Sequence, residues 1–124
     1  MMKKHLKNYP RRGEIYVADL DPTFGRELHK KRPVLIISSD TLNQNSNTVI
    51  MLPLSSIVPK FIGPDVVRST EVKGLDKDSI ILVSQIRAID KDRLIKKVDK
   101  VKEDELWEVE EALKLVLGMT PLDN

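Results

Sequence analysis

Pro33 to Ser38 reads PVLIIS, and its four central residues, Val34 to Ile37, are apolar without a polar break. A strand with one wet face alternates; an unbroken run of this length belongs to a strand covered on both faces. Thr48 to Leu54, TVIMLPL, repeats the pattern, with Pro53 predicting an edge or a bulge because proline gives no N–H to a ladder. Upstream, Gly13 to Leu20, GEIYVADL, alternates as a half-buried strand, and Asp21-Pro22 ends it. Thr23 to Lys31 is a polar, basic loop. Ser39 to Asn47 is rich in Ser, Asp and Asn, with Asp40 as the expected N-cap of one helical turn.

Downstream, Asp65 to Glu71 predicts a weaker strand and Lys73-Gly74 a turn. SIILVSQIR, Ser79 to Arg87, reads as one strand, with Ile80, Leu82, Ser84 and Ile86 opposing Ile81 and Val83. A helical turn at Asp90 to Arg93 leads to a short strand near Ile95 to Val101. The chain then forms a helix from about Glu103 to Leu117, whose apolar face is Leu106, Val109, Leu113, Val116 and Leu117. Acids fill its first turn, Lys114 its last, Gly118 suits the C′ position, and Pro121 forbids continuation. Several short strands and one packed helix predict a β-rich α+β fold, a small, strongly curved β-barrel with helical additions. Residues 11–119 read as one domain, with a basic extension at 1–10 and a tail at 120–124.

The 124 residues are 40% hydrophobic and 32% charged, an ordinary globular balance. Cysteine is absent, which excludes disulfides and thiolate metal sites. The two histidines, His5 and His29, argue against a histidine-rich zinc centre. No apolar run approaches a membrane span, and MMKKHLKNYPRR has no apolar stretch behind its charges to make a signal peptide. The reading is a soluble, cytoplasmic protein with no membrane association.

The net charge of +2 conceals a division along the chain. Residues 1–102 carry 20 Lys and Arg against 12 Asp and Glu, while Glu103 to Glu111 holds six acids and no cation. A basic body fits either a polyanionic partner or a solvated lysine-rich surface.

No Gly-rich phosphate loop, H-E-x-x-H or G-x-S-x-G pattern occurs. Position singles out a few residues instead. Arg32 stands where a basic loop enters an apolar strand, so it serves binding, catalysis, or an ion pair with Glu27 or Asp19. Ser55 and Ser56 close a buried strand, where a serine either caps a turn or lines a cleft. Gln85 interrupts an apolar strand as a network member or a ligand contact. His29 fits a loop surface or a general base. Trp107 and Tyr16 read as core residues, and five aromatics in all do not support extended base stacking.

Five blocks together resemble the MazF/PemK-type toxins of bacterial toxin–antitoxin modules. They are RRGEIYVADLDPTFG (Arg11 to Gly25), KRPVLIIS (Lys31 to Ser38), TVIMLPLSS (Thr48 to Ser56), DSIILVSQIRAID (Asp78 to Asp90) and EEALKLVLGM (Glu110 to Met119). The resemblance implies a compact SH3-like β-barrel with short helices, forming a homodimer. It implies metal-independent, sequence-selective cleavage of single-stranded RNA without a cofactor, and a cognate antitoxin whose disordered tail occupies the RNA groove. The family's reacting arginine and threonine fall on Arg32 and Ser55, and an RNA-contacting glutamine falls on Gln85. Arg26, Glu27, His29 and Lys31 of the basic loop, with Ser56 and Arg87, are the other expected RNA contacts.

Four positions depart from the family pattern, Ser55 in place of the threonine being the first. Leu28 and Lys30 stand where a glutamine and a glycine are common, and Ser84 stands where a carboxylate often precedes Q-I-R. A gyrase-inhibiting toxin of the same fold and an RNA-binding barrel without catalysis are the rival expectations; only cleavage requires Arg32 with Ser55.

Overall fold

Gly13 adopts a φ of +92°, a conformation that strains any residue with a Cβ. From there its N–H donates to the Ile36 carbonyl at 2.7 Å and its own carbonyl accepts from the Val101 N–H at 2.9 Å, tying three strand ends together. The computed structural model describes residues 8–20, 31–69, 75 and 78–119. Among the described residues there are seven strands, β1 (Glu14–Asp19), β2 (Lys31–Ile36), β3 (Thr48–Ser55), β4 (Val66–Ser69), β5 (Ser79–Leu82), β6 (Arg87–Asp90) and β7 (Leu94–Lys100), and two α-helices, α1 (Asp40–Asn45) and α2 (Glu103–Val116). The strands lie in the order β4-β5-β3-β2-β1-β7, with β6 also paired to β3, and every pairing is antiparallel. Among the described residues the sheet does not close, and its curled, helix-backed form agrees with the expected barrel.

The uncharged runs do cover both faces. Leu35 and Ile37, with Leu52, Leu54, Ile81 and Val83, pack in one buried cluster with Val109 and Ala112 of α2. Val34 and Ile36 point the other way, into a second cluster with Ala18, Val49, Met51 and Ile89. Strand alternation therefore splits each run between two cores, and each fully buried Leu or Ile contributes roughly 1.5–3 kcal/mol.

Four details differ from the sequence reading. Ser39, not Asp40, caps α1: its Oγ accepts from the Leu42 N–H, while Asp40 Oδ1 accepts from the Arg12 N–H at 2.7 Å. Both residue types cap well, and the distant Arg12 backbone claims the carboxylate. Pro53 lies in a central strand. On one side β3 pairs β6 through Thr48 to Met51 and β5 through Leu54 and Ser55, so Pro53 falls at the handover, opposite neither.

The same handover breaks the expected strand from Ser79 to Arg87. Residues Val83–Gln85 form a 3-10 turn between β5 and β6, held by the Val83 N–H on the Asp65 carbonyl at 2.9 Å. Finally, Trp107 is 61% exposed on α2, and Leu117 is 52% exposed beyond the last helical residue.

The α2 end is built as its sequence implied. Gly118, at φ +72°, donates to the Leu115 carbonyl and Met119 to the Lys114 carbonyl, the paired bonds of a Schellman cap. Arg12 joins this helix to the sheet: Nε donates to the Ile37 carbonyl at 3.0 Å and Nη2 pairs with Glu110 Oε2 at 2.8 Å. Glu14, nearly buried, accepts from the Tyr16 hydroxyl and pairs with Lys97 at 2.8 Å, which fastens β1 to β7. Burial and the Glu14 charge push the Tyr16 phenol up to about 12. Among the described residues no helix is long and apolar enough to cross a membrane.

Candidate active site

Antiparallel pairing of β2 with β3 sets Val34 opposite Pro53. Continuing that register by two residues brings Arg32, near the start of β2, opposite Ser55, the last residue of β3. The two meet at a cleft of about 270 Å³, walled by Arg32, Pro33, Leu54, Ser55 and Ser56, with Leu75 and Ser79 completing it. A lining that combines apolar Pro33, Leu54 and Leu75 with a cation and three serine hydroxyls suits a polar, anionic ligand held partly out of water.

Arg32 is half-buried, and one Nη donates to the Leu54 carbonyl at 3.3 Å. Its Nε is buried with no hydrogen-bond partner among the described residues. No carboxylate among the described residues pairs with it; Asp19 lies opposite Lys31 in the ladder, and Glu27 is outside the described residues. Burial pushes the Arg32 pKa below its ordinary value. A guanidinium in this state has already lost part of its water and gains no carboxylate in return among the described residues, so an incoming phosphate would find it attractive.

Ser55 is only 8% exposed, and its Oγ accepts from the Ile57 N–H at 3.1 Å. The turn-capping reading of this serine is therefore correct, yet it uses the oxygen only as an acceptor. The hydroxyl hydrogen has no acceptor among the described residues and remains free to donate to a ligand oxygen. Ser56 is exposed on the cleft rim.

Of the other expected contacts, Lys31 is exposed beside Arg32. Gln85 is exposed at the end of the 3-10 turn, not buried in a strand, because the chain leaves β5 before reaching it. Arg87 is exposed on β6, opposite Met51. Both lie along β3 from the cleft and do not line it. Arg26, Glu27 and His29, with Leu28 and Lys30, fall outside the described residues.

Leu75 and Ser79 are cleft residues that the sequence reading missed. Ser79 opens β5 as Ser55 closes β3, and the ladder places Ser55 opposite Ile80. That proximity comes from pairing between distant segments, and only the polar opening of an apolar strand hinted at it. Among the described residues, no three His, Cys, Asp or Glu side chains are grouped to hold a metal ion.

A curled antiparallel sheet backed by a C-terminal helix is the architecture of MazF-type barrels. It superposes on the crystal structure of MazF from Deinococcus radiodurans with a TM-score of 0.79, at 24% identity, covering 91% of this chain and 100% of that one. A MazE–MazF structure from the same organism gives 0.75 at 23% identity, covering 92% and 100%. At such identities the likeness speaks for the fold alone.

Sequence takes the assignment further. Residues 11–117 match the family of PemK-like, MazF-like toxins of type II toxin–antitoxin systems. The Endoribonuclease MazF of Staphylococcus epidermidis is 43% identical over 115 residues, covering 92% of this chain and 96% of that protein. The chain belongs to this toxin family, as one of its endoribonucleases.

Proposed function

We propose that this toxin cuts single-stranded RNA at a short sequence motif, with the scissile phosphate seated in the cleft between Arg32 and Ser55. One observation carries the reading: a half-buried arginine that pairs with no carboxylate among the described residues shares a cleft with a serine whose hydroxyl has no acceptor among them. RNA brings its own nucleophile, the 2′-hydroxyl beside the phosphate. The protein then has to align that oxygen and stabilise the charge that grows on the phosphorane. Arg32 supplies the charge, and its fork can donate two parallel hydrogen bonds to phosphate oxygens. Ser55 donates a further hydrogen bond that fixes the phosphate for in-line attack. Attack breaks the bond from phosphorus to the 5′-oxygen and leaves a 2′,3′-cyclic phosphate and a 5′-hydroxyl.

With the 2′-hydroxyl as nucleophile and Arg32 as the charge-stabilising group, the proposed chemistry leaves no required role for a cofactor or a metal ion. Cleavage of a long RNA is expected to proceed at an unchanged rate in excess chelator. Loss of cleavage that magnesium restores would contradict this.

The exposed Lys31, Gln85 and Arg87 extend the RNA path from the cleft along β2, β3 and β6. The same groove is where a cognate antitoxin would inhibit, by covering the cleft with an extended acidic or polar segment. The active species is a homodimer, since a second copy doubles the basic surface along one RNA strand. Light scattering is expected to report twice the chain mass at micromolar concentration; a fully active monomer would contradict it. RNA as substrate places the protein in the cytoplasm.

A further inference from the structure

Between β3 and β4, the chain puts an aromatic ring almost entirely into water. Phe61 is 86% exposed and Ile57 is 79% exposed, with Lys60 exposed between them. Isolated exposed apolar residues need no explanation, but four on one short loop beside a cleft, Ile57, Val58, Phe61 and Ile62, do. We infer that Phe61 is a stacking platform for a nucleobase next to the scissile phosphate. The inference rests on the cleft reading above and adds a substrate-binding contact to it.

The loop starts at the cleft. Ser55 and Ser56 are cleft residues, and the Ser55 Oγ bond to the Ile57 N–H fixes the direction in which the chain leaves. The far end is fixed too. The Asp65 carbonyl accepts from the Val83 N–H, and the Ser84 hydroxyl donates to Asp65 Oδ2 at 3.1 Å. Ser84 thus anchors this loop, at the position where the family often carries an acid. Pro59 and Pro64 limit backbone freedom inside the span, so presenting the ring costs less entropy on binding.

The ring's chemistry favours a base over a protein partner. Phe61 follows Ser56 by five residues, a separation of at most roughly 18 Å, which keeps the ring within a few nucleotides of a strand seated at Ser55. Lys60 offers a cation to the backbone of that strand, and the Arg32 side of the cleft is cationic as well. A π-face stacks any base. The ring therefore adds affinity broadly and orders the nucleotide whose 2′-hydroxyl must be aligned.

The test uses the full-length protein and an RNA oligonucleotide that contains the mapped cleavage motif. A single 2′-deoxy nucleotide at the scissile position makes it uncleavable. Phe61→Ala is expected to weaken binding of this probe about tenfold and to raise KM on the normal RNA with a smaller change in kcat, at an unchanged melting temperature. Phe61→Trp is expected to restore affinity, and its added fluorescence should be quenched by the probe. Equal binding by Phe61→Ala and wild type, with wild type cleaving RNA, overturns the inference and leaves the cleft reading intact. A change in oligomeric mass on Phe61→Ala, with RNA affinity per dimer unchanged, also overturns it and marks the loop as a self-association surface. Failure of wild type to cleave any RNA would instead bring down the cleft reading itself.

Discussion

Arg32→Ala is expected to lower single-turnover RNA cleavage by on the order of a hundredfold or more, the usual cost of one preorganised charge-stabilising donor. The fold should survive. Arg32 holds one hydrogen bond, 3.3 Å long, to the Leu54 carbonyl, pairs with no carboxylate among the described residues, and leaves its Nε unsatisfied. Removing it takes away a buried donor that the folded state does not satisfy, so the melting temperature should hold or rise slightly. Arg32→Lys should recover only part of the rate, because an ammonium keeps the charge and loses the planar fork. Circular dichroism melts beside single-turnover rates separate the two roles. A mutant that melts earlier while its folded fraction still cuts RNA would make Arg32 a structural residue.

Ser55→Ala is the second large effect, at least about tenfold in rate, which corresponds to one neutral hydrogen bond of ~1.4 kcal/mol. The structure adds a second consequence. Alanine also removes the acceptor of the Ile57 N–H, so the chain beyond the cleft loses its fixed exit. Ser55→Thr keeps both functions of the oxygen and restricts χ1, so it should be tolerated or slightly faster where the cleft admits a methyl. Ser56→Ala, at the exposed rim, should matter less. Undiminished cleavage by the alanine variant at 55, beside an impaired variant at 56, would show that the other hydroxyl does the work.

The strands were legible because burial on two faces leaves an unmistakable mark. Val34 to Ile37 and Val49 to Leu54 could not be exposed on either side, and the two cores they fill follow from alternation alone. The C-terminal helix was legible from its period and its Gly118 stop. The break at Val83–Gln85 was not, since hydrophobic alternation continues through it. It arises because β3 takes β6 as partner at one end and β5 at the other, a tertiary demand with no local signature. The same demand exposes Gln85, which would otherwise have needed buried partners for its amide.

The site divides in the same way. Arg32 was visible as a charge opening an apolar strand, and Ser55 as a hydroxyl closing another. Their meeting is a matter of register between β2 and β3, which the sequence does not state. Ser79 and Leu75 join the cleft through a third segment, and neither is chemically unusual in its own neighbourhood. Trp107 shows the reverse error: its size suggests core, but helical spacing sets it away from Leu106, Val109 and Leu113, on the solvent side of α2.

The central claim is that the cleft of Arg32 and Ser55 drives attack by the substrate's own 2′-hydroxyl, and end-group analysis on a matched pair of oligonucleotides tests it most directly. One oligonucleotide is all RNA around the mapped motif, and the other differs by a single 2′-deoxy nucleotide at the scissile position. The account predicts a 2′,3′-cyclic phosphate and a 5′-hydroxyl from the first with wild-type protein. It predicts no cut in the second, and with Arg32→Ala a cut in the first slowed on the order of a hundredfold or more. Cleavage of the deoxy-substituted strand at the same site, or 5′-phosphate ends on the products, would contradict it.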